Sequence, residues 1–293
     1  MLTTIKVAAI SFLLSAFSLA VPKKLDLGGM VLSISDAPTA QIFHIVDQLS
    51  QWDIYTHDQY ARWAAATHLL DQRDRELLQQ HAEMRKRRGW GHGFEQTFLV
   101  EDSIEDAAAK GISAQFLSAT EANTERDILL HFAPKVEPLL RQRRTEIAAL
   151  QQQLVAERAR LTPFMVQLAI FAEVKNPPIV MVFLVANADE HNGGGGVEGG
   201  RLVVEVPLLD TIGTLLHECL HQLLDSQKES IHSAAEAAKL DYMVLNEGID
   251  PFLQFDLVAT VIRPVLRAAL AHHETITMFL PKATAKWRRV AAP

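Results

Sequence analysis

The stretch LLHECLHQLLD, Leu215–Asp225, places two histidines four residues apart, with a glutamate directly after the first. Put on a helix at about 100° per residue with His217 at zero, His221 falls at about 40°, Asp225 at about 80° and Glu218 near 100°. Ile212, Leu216, Cys219, Leu220 and Leu223 fall between roughly 200° and 300°. The spacing predicts an amphipathic helix over 211–226, its histidines opposite the apolar stripe, with Asp210 or Thr211 capping its start.

Two imidazoles one turn apart on one helix face can reach a single Zn²⁺ at about 2.0–2.1 Å. Glu218 would point beside such an ion, where a general base for metal-activated water belongs. The competing reading is a polar stripe on an ordinary surface helix. Cys219 lies about 200° from His217, so the same helix cannot aim it at that ion, and it reads as a small buried hydrophobe. A catalytic zinc takes three protein ligands and keeps one position open. The pattern H-E-x-x-H-x-x-G-x-x-H is excluded, because Leu224 and Gln227 stand at its glycine and third-histidine positions, and the inverted H-x-x-E-H does not occur. Downstream, YMVLNEGID offers Glu247 at the end of a helical stretch. Asp225, Glu229, His232, Glu236 and Asp241 are the other donors within reach along the chain.

H-E-x-x-H followed by Asn246-Glu247-Gly248 resembles the gluzincins, the thermolysin-like zinc metallopeptidases. The resemblance extends over roughly 180–250 and implies a zincin-like catalytic region with a small antiparallel sheet. It implies Zn²⁺ held by His217, His221 and Glu247, Glu218 as general base, and a peptide or protein substrate. Asp250, and Asp225 one turn beyond His221, would orient ligands by hydrogen bonds without touching the ion. The 25 residues between His221 and Glu247 exceed the thermolysin-type gap, so the resemblance also implies an insertion there. The strand RLVVEV, Arg201–Val206, would run beside an extended substrate. His191 is a further candidate contact, and Tyr242, His272 and His273 are candidates for stabilising an oxyanion. DEHNGGGGVEGG at 189–200 lacks the lysine and strand–loop–helix order of a phosphate loop.

The rest of the chain sets the frame. MLTTIK carries one positive charge, and the uncharged run Val7–Ala20 ends with Ser18 and Ala20 at the −3 and −1 positions of a cut, the pattern of a secretory signal peptide over 1–20. Its 14 apolar residues are short for a membrane anchor, which needs about 20, and no other stretch is long and apolar enough to span. The expectation is an exported, periplasmic or extracellular protein with no stable membrane span after cleavage. Loss of Lys6 takes the formal charge from −7 to −8, 27 basic against 35 acidic residues. That balance argues against a nucleic-acid surface, and the basic clusters Arg85–Arg88 and Arg141–Arg144 read as solvated helix faces. One cysteine allows no internal disulfide, so core packing or metal must hold the fold.

Apolar spacing of three and four predicts helices from Thr39 to about His92, broken by GWGHG at 89–93 and followed by short helices. Pro134 and Pro138 bracket a new helix start, and Pro163 bends or ends a long helix over about 136–172. LGGMVLSIS reads as one or two short strands. PPIVMVFLVANA and RLVVEV, joined by the glycine-rich loop, read as an antiparallel pair. The expected fold is α+β and predominantly helical, with a helical region over 21–172 and a zincin-like region over 173–293. The alternative to a hydrolase is a non-catalytic exported protein that binds zinc or a partner on the same scaffold.

Overall fold

The computed structural model describes residues 23–171 and 174–224. They form a mixed α+β protein, about 59% helical, with a small mixed sheet of five strands. Residues 1–20, Asp225, Glu229, His232, Glu236, Asp241, Tyr242, Glu247, Asp250, His272 and His273 lie outside the described residues. Two compact units are present: one gathers 23–25, 32–155 and 180–211, the other 26–31, 156–171, 174–179 and 212–224.

The first helix of the first unit is α1, Pro38–Ser50, which has proline in its first turn, where a missing N–H costs nothing. Every residue from Thr39 to Leu49 is buried. An all-round buried helix must find internal partners for its polar residues, here Gln41, His44, Asp47 and Gln48. Helices α2, Gln59–Ala66, α3, Gln72–Arg88, α4, Phe94–Phe98, and α5, Ile104–Ser113, follow. α3 starts on a reciprocal cap: Asp74 N–H donates to Asp71 at 2.9 Å and Asp71 N–H donates to Asp74 at 2.7 Å. It ends at Gly89, so the glycine-rich break at 89–93 falls where its composition predicts.

Helix α6, Ala119–Ala156, runs straight through Pro134 and Pro138, contrary to the expected new start there. An internal proline costs about 3 kcal/mol. Around the two prolines α6 buries Ile128, Leu129, Phe132, Val136, Leu139 and Leu140. At about 1.5–3 kcal/mol for each buried side chain, that face outweighs both prolines. Helix α7, Arg158–Phe171, likewise continues through Pro163.

The strands are β1, Lys23–Asp26, β2, Val31–Ser35, β3, Ile179–Ala186, β4, Gly195–Glu198, and β5, Arg201–Val206, in the sheet order β1-β2-β3-β5-β4. The expected antiparallel pairing of 179–186 with 201–206 is corrected: β3 and β5 are parallel, with Val182 opposite Leu202 and Ala186 opposite Val206. The glycine-rich segment holds a strand of its own. β4 pairs antiparallel with β5, and Gly199 and Gly200, at φ 55° and 78°, make the two-residue hairpin turn between them. β3 is buried along most of its length, as the run IVMVFLVA requires of a central strand. β5 has both edges paired, so a substrate cannot add beside it as the resemblance implied; on that side of the sheet the outer strand is β4.

In the second unit, the turn between β1 and β2 packs on α7. Gly29 lies where a Cβ would collide with the Met165 carbonyl and the Ala169 side chain, so only glycine fits. Arg158 Nε donates to the Asp26 carbonyl at 2.9 Å. Helix α8, Thr211–Leu224, completes the described part of this unit.

Candidate functional site

α8 buries Ile212, Leu216, Cys219, Leu220 and Leu223, the apolar stripe read from the sequence, and Leu215 beside it. Cys219 is fully buried, and burial pushes its thiol pKa up, so it is a packed hydrophobe rather than a thiolate. At the start of the helix, the Thr211 hydroxyl accepts from Leu208 N–H at 3.0 Å and donates to the Leu208 carbonyl at 3.1 Å.

The two imidazoles converge. His217 Nε2 and His221 Nε2 are 2.9 Å apart, with ring centroids 4.6 Å apart and the planes at 69°. Two nitrogen lone pairs repel at that distance unless a proton or a metal ion lies between them. Desolvation, then the neighbouring His221, pulls the His217 pKa down to about 4. A neutral ring keeps the lone pair that a metal uses. One Zn²⁺ bonded at about 2.0–2.1 Å to each nitrogen can bridge this span, so the donor pair fits zinc. Glu218 Oε1 is 3.9 Å from His217 Nε2, and Glu218 is 7% exposed, so its carboxylate lies beside the pair in a largely desolvated position. The helix thus brings together three of the named residues: His217, Glu218 and His221. Asp225, Glu247 and Asp250 fall outside the described residues. His191 lies on the exposed loop of the first unit, its Nδ1 3.5 Å from Asp189.

The first unit holds a buried polar network that the sequence reading missed. Glu205 on β5 accepts from His44 Nε2 at 3.0 Å, from His57 Nδ1 at 3.0 and 3.1 Å, from Gln59 Nε2 at 3.3 Å and from Gly194 N–H at 2.7 Å. Burial opposes ionisation of Glu205, but His44 and His57 outweigh it and hold its pKa at about 2. Burial works against a charge on His44 as well, yet Glu205 and then Glu198 raise its pKa. Glu198 on β4 is pushed up to about 7 by burial. A neighbouring set joins α1, α3, α4 and α6: His81 bridges Asp47 at 3.0 Å and Glu125 at 2.9 Å, and Arg85 bridges Asp47 at 2.7 Å and Glu95 at 2.5 Å. The Arg85 guanidinium also lies over the rings of Trp52, Trp90, Phe94 and Phe43 at 4.6 to 5.7 Å. The signal for these groups was a polar residue inside an otherwise apolar run, as in FHIVDQL and RLVVEV.

Among the described residues, no group of three or more His, Cys, Asp and Glu side chains is arranged to hold a metal ion, and no helix is long and apolar enough to cross a membrane. No protein-family model matches the chain, and neither a curated protein nor a solved structure matches it.

Proposed function

We propose that the chain is an exported zinc-dependent hydrolase, a metallopeptidase of gluzincin type acting on peptides or proteins. The observation that carries this reading is the α8 constellation: two histidine Nε2 atoms 2.9 Å apart, with a buried carboxylate 3.9 Å from one of them. His217 and His221 would hold Zn²⁺, with Glu247 as the third ligand that the resemblance implies. The ion, when bound, supplies Lewis-acid polarisation of the scissile carbonyl and lowers the pKa of water. Glu218 takes the proton from the attacking water and delivers it to the leaving amine. Cys219 takes no part, because it packs on the opposite side of the helix.

The test is Glu218→Gln, which is isosteric and leaves both histidines in place. Peptide hydrolysis should fall by about 10²–10⁴-fold while zinc content stays at the wild-type level. Undiminished hydrolysis in that variant would remove Glu218 from the mechanism. In parallel, Glu247→Ala should lower zinc content; full occupancy would place the third ligand elsewhere.

A further inference from the structure

We propose that Glu198 is a proton-operated latch on the outer hairpin of the first unit: carrying a proton it holds β4 and the Gly199–Gly200 turn against α1 and α4, and on losing that proton it loosens them. The hairpin is slight. β4 has four residues and pairs on one side only, with β5. Two of the four are glycines and Val197 is exposed, so the strand buries little apolar surface. Its turn lies against α4, where a Cβ on Gly199 would meet the Glu95 Cβ at 2.8 Å. An edge held by so few contacts opens locally at low free energy, and the state of its one inward carboxylate weighs heavily.

Charged neighbours surround Glu198, and the cations among them are committed elsewhere. Arg85 of α3 donates from Nε to Asp47 of α1 at 2.7 Å and from Nη2 to Glu95 of α4 at 2.5 Å. Arg201, across the hairpin, donates to the Gly199 and Gln96 carbonyls. His44 of α1 gives its Nε2 to Glu205 of β5 at 3.0 Å, and Glu205 is further held by His57, Gln59 and Gly194. The Tyr60 ring of α2 stands edge-on to His44 at 5.9 Å. What remains for Glu198 is His44 Nδ1 at 3.9 Å, an ion pair too long for a hydrogen bond. Against that one pairing stand burial and the carboxylates of Asp47 and Glu95. Glu198 is thus the carboxylate left without a strong partner, and a proton relieves it.

The direction of the response follows. Burial first, then Asp47 and Glu95, push the Glu198 pKa from 4.5 up to about 7, against the pull of His44 and Arg85. Between those values the closed hairpin keeps a proton that the opened one gives up to solvent. Closure is therefore most favoured below about pH 4.5 and weakens as pH rises to about 7. His44 acts in the same sense at higher pH. Burial opposes its charge, but Glu205 and Glu198 raise its pKa above 6.5, so its hold on both carboxylates fades as pH climbs further. Glu205, held at about 2, stays ionised throughout. Release of β4 bares the edge of β5 that it covers.

The experiment is hydrogen–deuterium exchange of the full chain at pH 5 and pH 7, each corrected for the intrinsic exchange rate. Peptides covering 194–203 report the hairpin, and peptides from α1 serve as the internal reference. Protection of the hairpin relative to α1 should fall about tenfold or more from pH 5 to pH 7. Glu198→Gln, whose side chain is neutral at both values, should remove that dependence. Hairpin protection that is equal at the two pH values, or that falls only in step with α1, would overturn the proposal. So would a Glu198→Gln protein that keeps the wild-type pH dependence. The wild-type comparison decides the matter even if the variant does not fold. Neither arm involves α8, so the outcome is independent of the hydrolase reading.

Discussion

Two histidines and a glutamate carry the account at the scale of single residues, and Cys219 supplies the check on their orientation. If α8 presents His217 and His221 to a metal, Cys219 must sit among the apolar side chains, fully buried as it is. A thiol reagent should therefore leave it unmodified in native buffer and titrate one thiol per chain in denaturant. Fast reaction in the native protein would mean the helix is turned. This much was legible from Leu215–Asp225 alone, because the 3.6-residue period separates an apolar stripe from a polar face without long-range information. The burial of Glu218 was not legible: helix angles give direction along the stripe, not the depth to which neighbouring segments cover it. The Glu205 network was illegible for a related reason. His44 and Glu205 are 161 positions apart, and nothing local pairs them.

Elements show where local rules were overruled. Proline predicted a break within α6, and the buried face around it prevailed. Two strands flanking glycines predicted a hairpin, and the hairpin formed one strand later, at Gly199 and Gly200, leaving β3 and β5 parallel. Strand order depends on which edges are free once the chain collapses, and apolar alternation does not encode it. Two predictions belong here. Gly29→Ala forces a methyl into the Met165 carbonyl and should cost about 1–3 kcal/mol, read as a lower denaturation midpoint. His81 ties α3 to α1 and α6, and burial disfavours its charge, but Glu125 and Asp47 raise its pKa from 6.5 to about 9. Its contribution is fully present below about pH 6.5 and fades as pH rises towards 9. His81→Gln should therefore cost about 3–5 kcal/mol near pH 6. The gap from wild type should narrow by up to about 1.4 kcal/mol per pH unit between about pH 6.5 and 9. A gap that stays constant from pH 6 to 9 would mean the imidazole is neutral in the folded protein.

For the whole molecule, the first unit is held by an apolar core threaded with buried ion pairs, without disulfides. The second unit carries the convergent histidine pair on α8. The claim that joins sequence and structure is that this pair holds a catalytic zinc. The most direct test is cleavage of a mixed peptide library by the purified full-length protein, with and without a chelator, followed by zinc re-addition. The account predicts cleavage that the chelator abolishes and stoichiometric Zn²⁺ restores, with no recovery in Glu218→Gln. Cleavage that survives complete metal removal, or a zinc-loaded wild-type protein that cleaves nothing in the library, would contradict it.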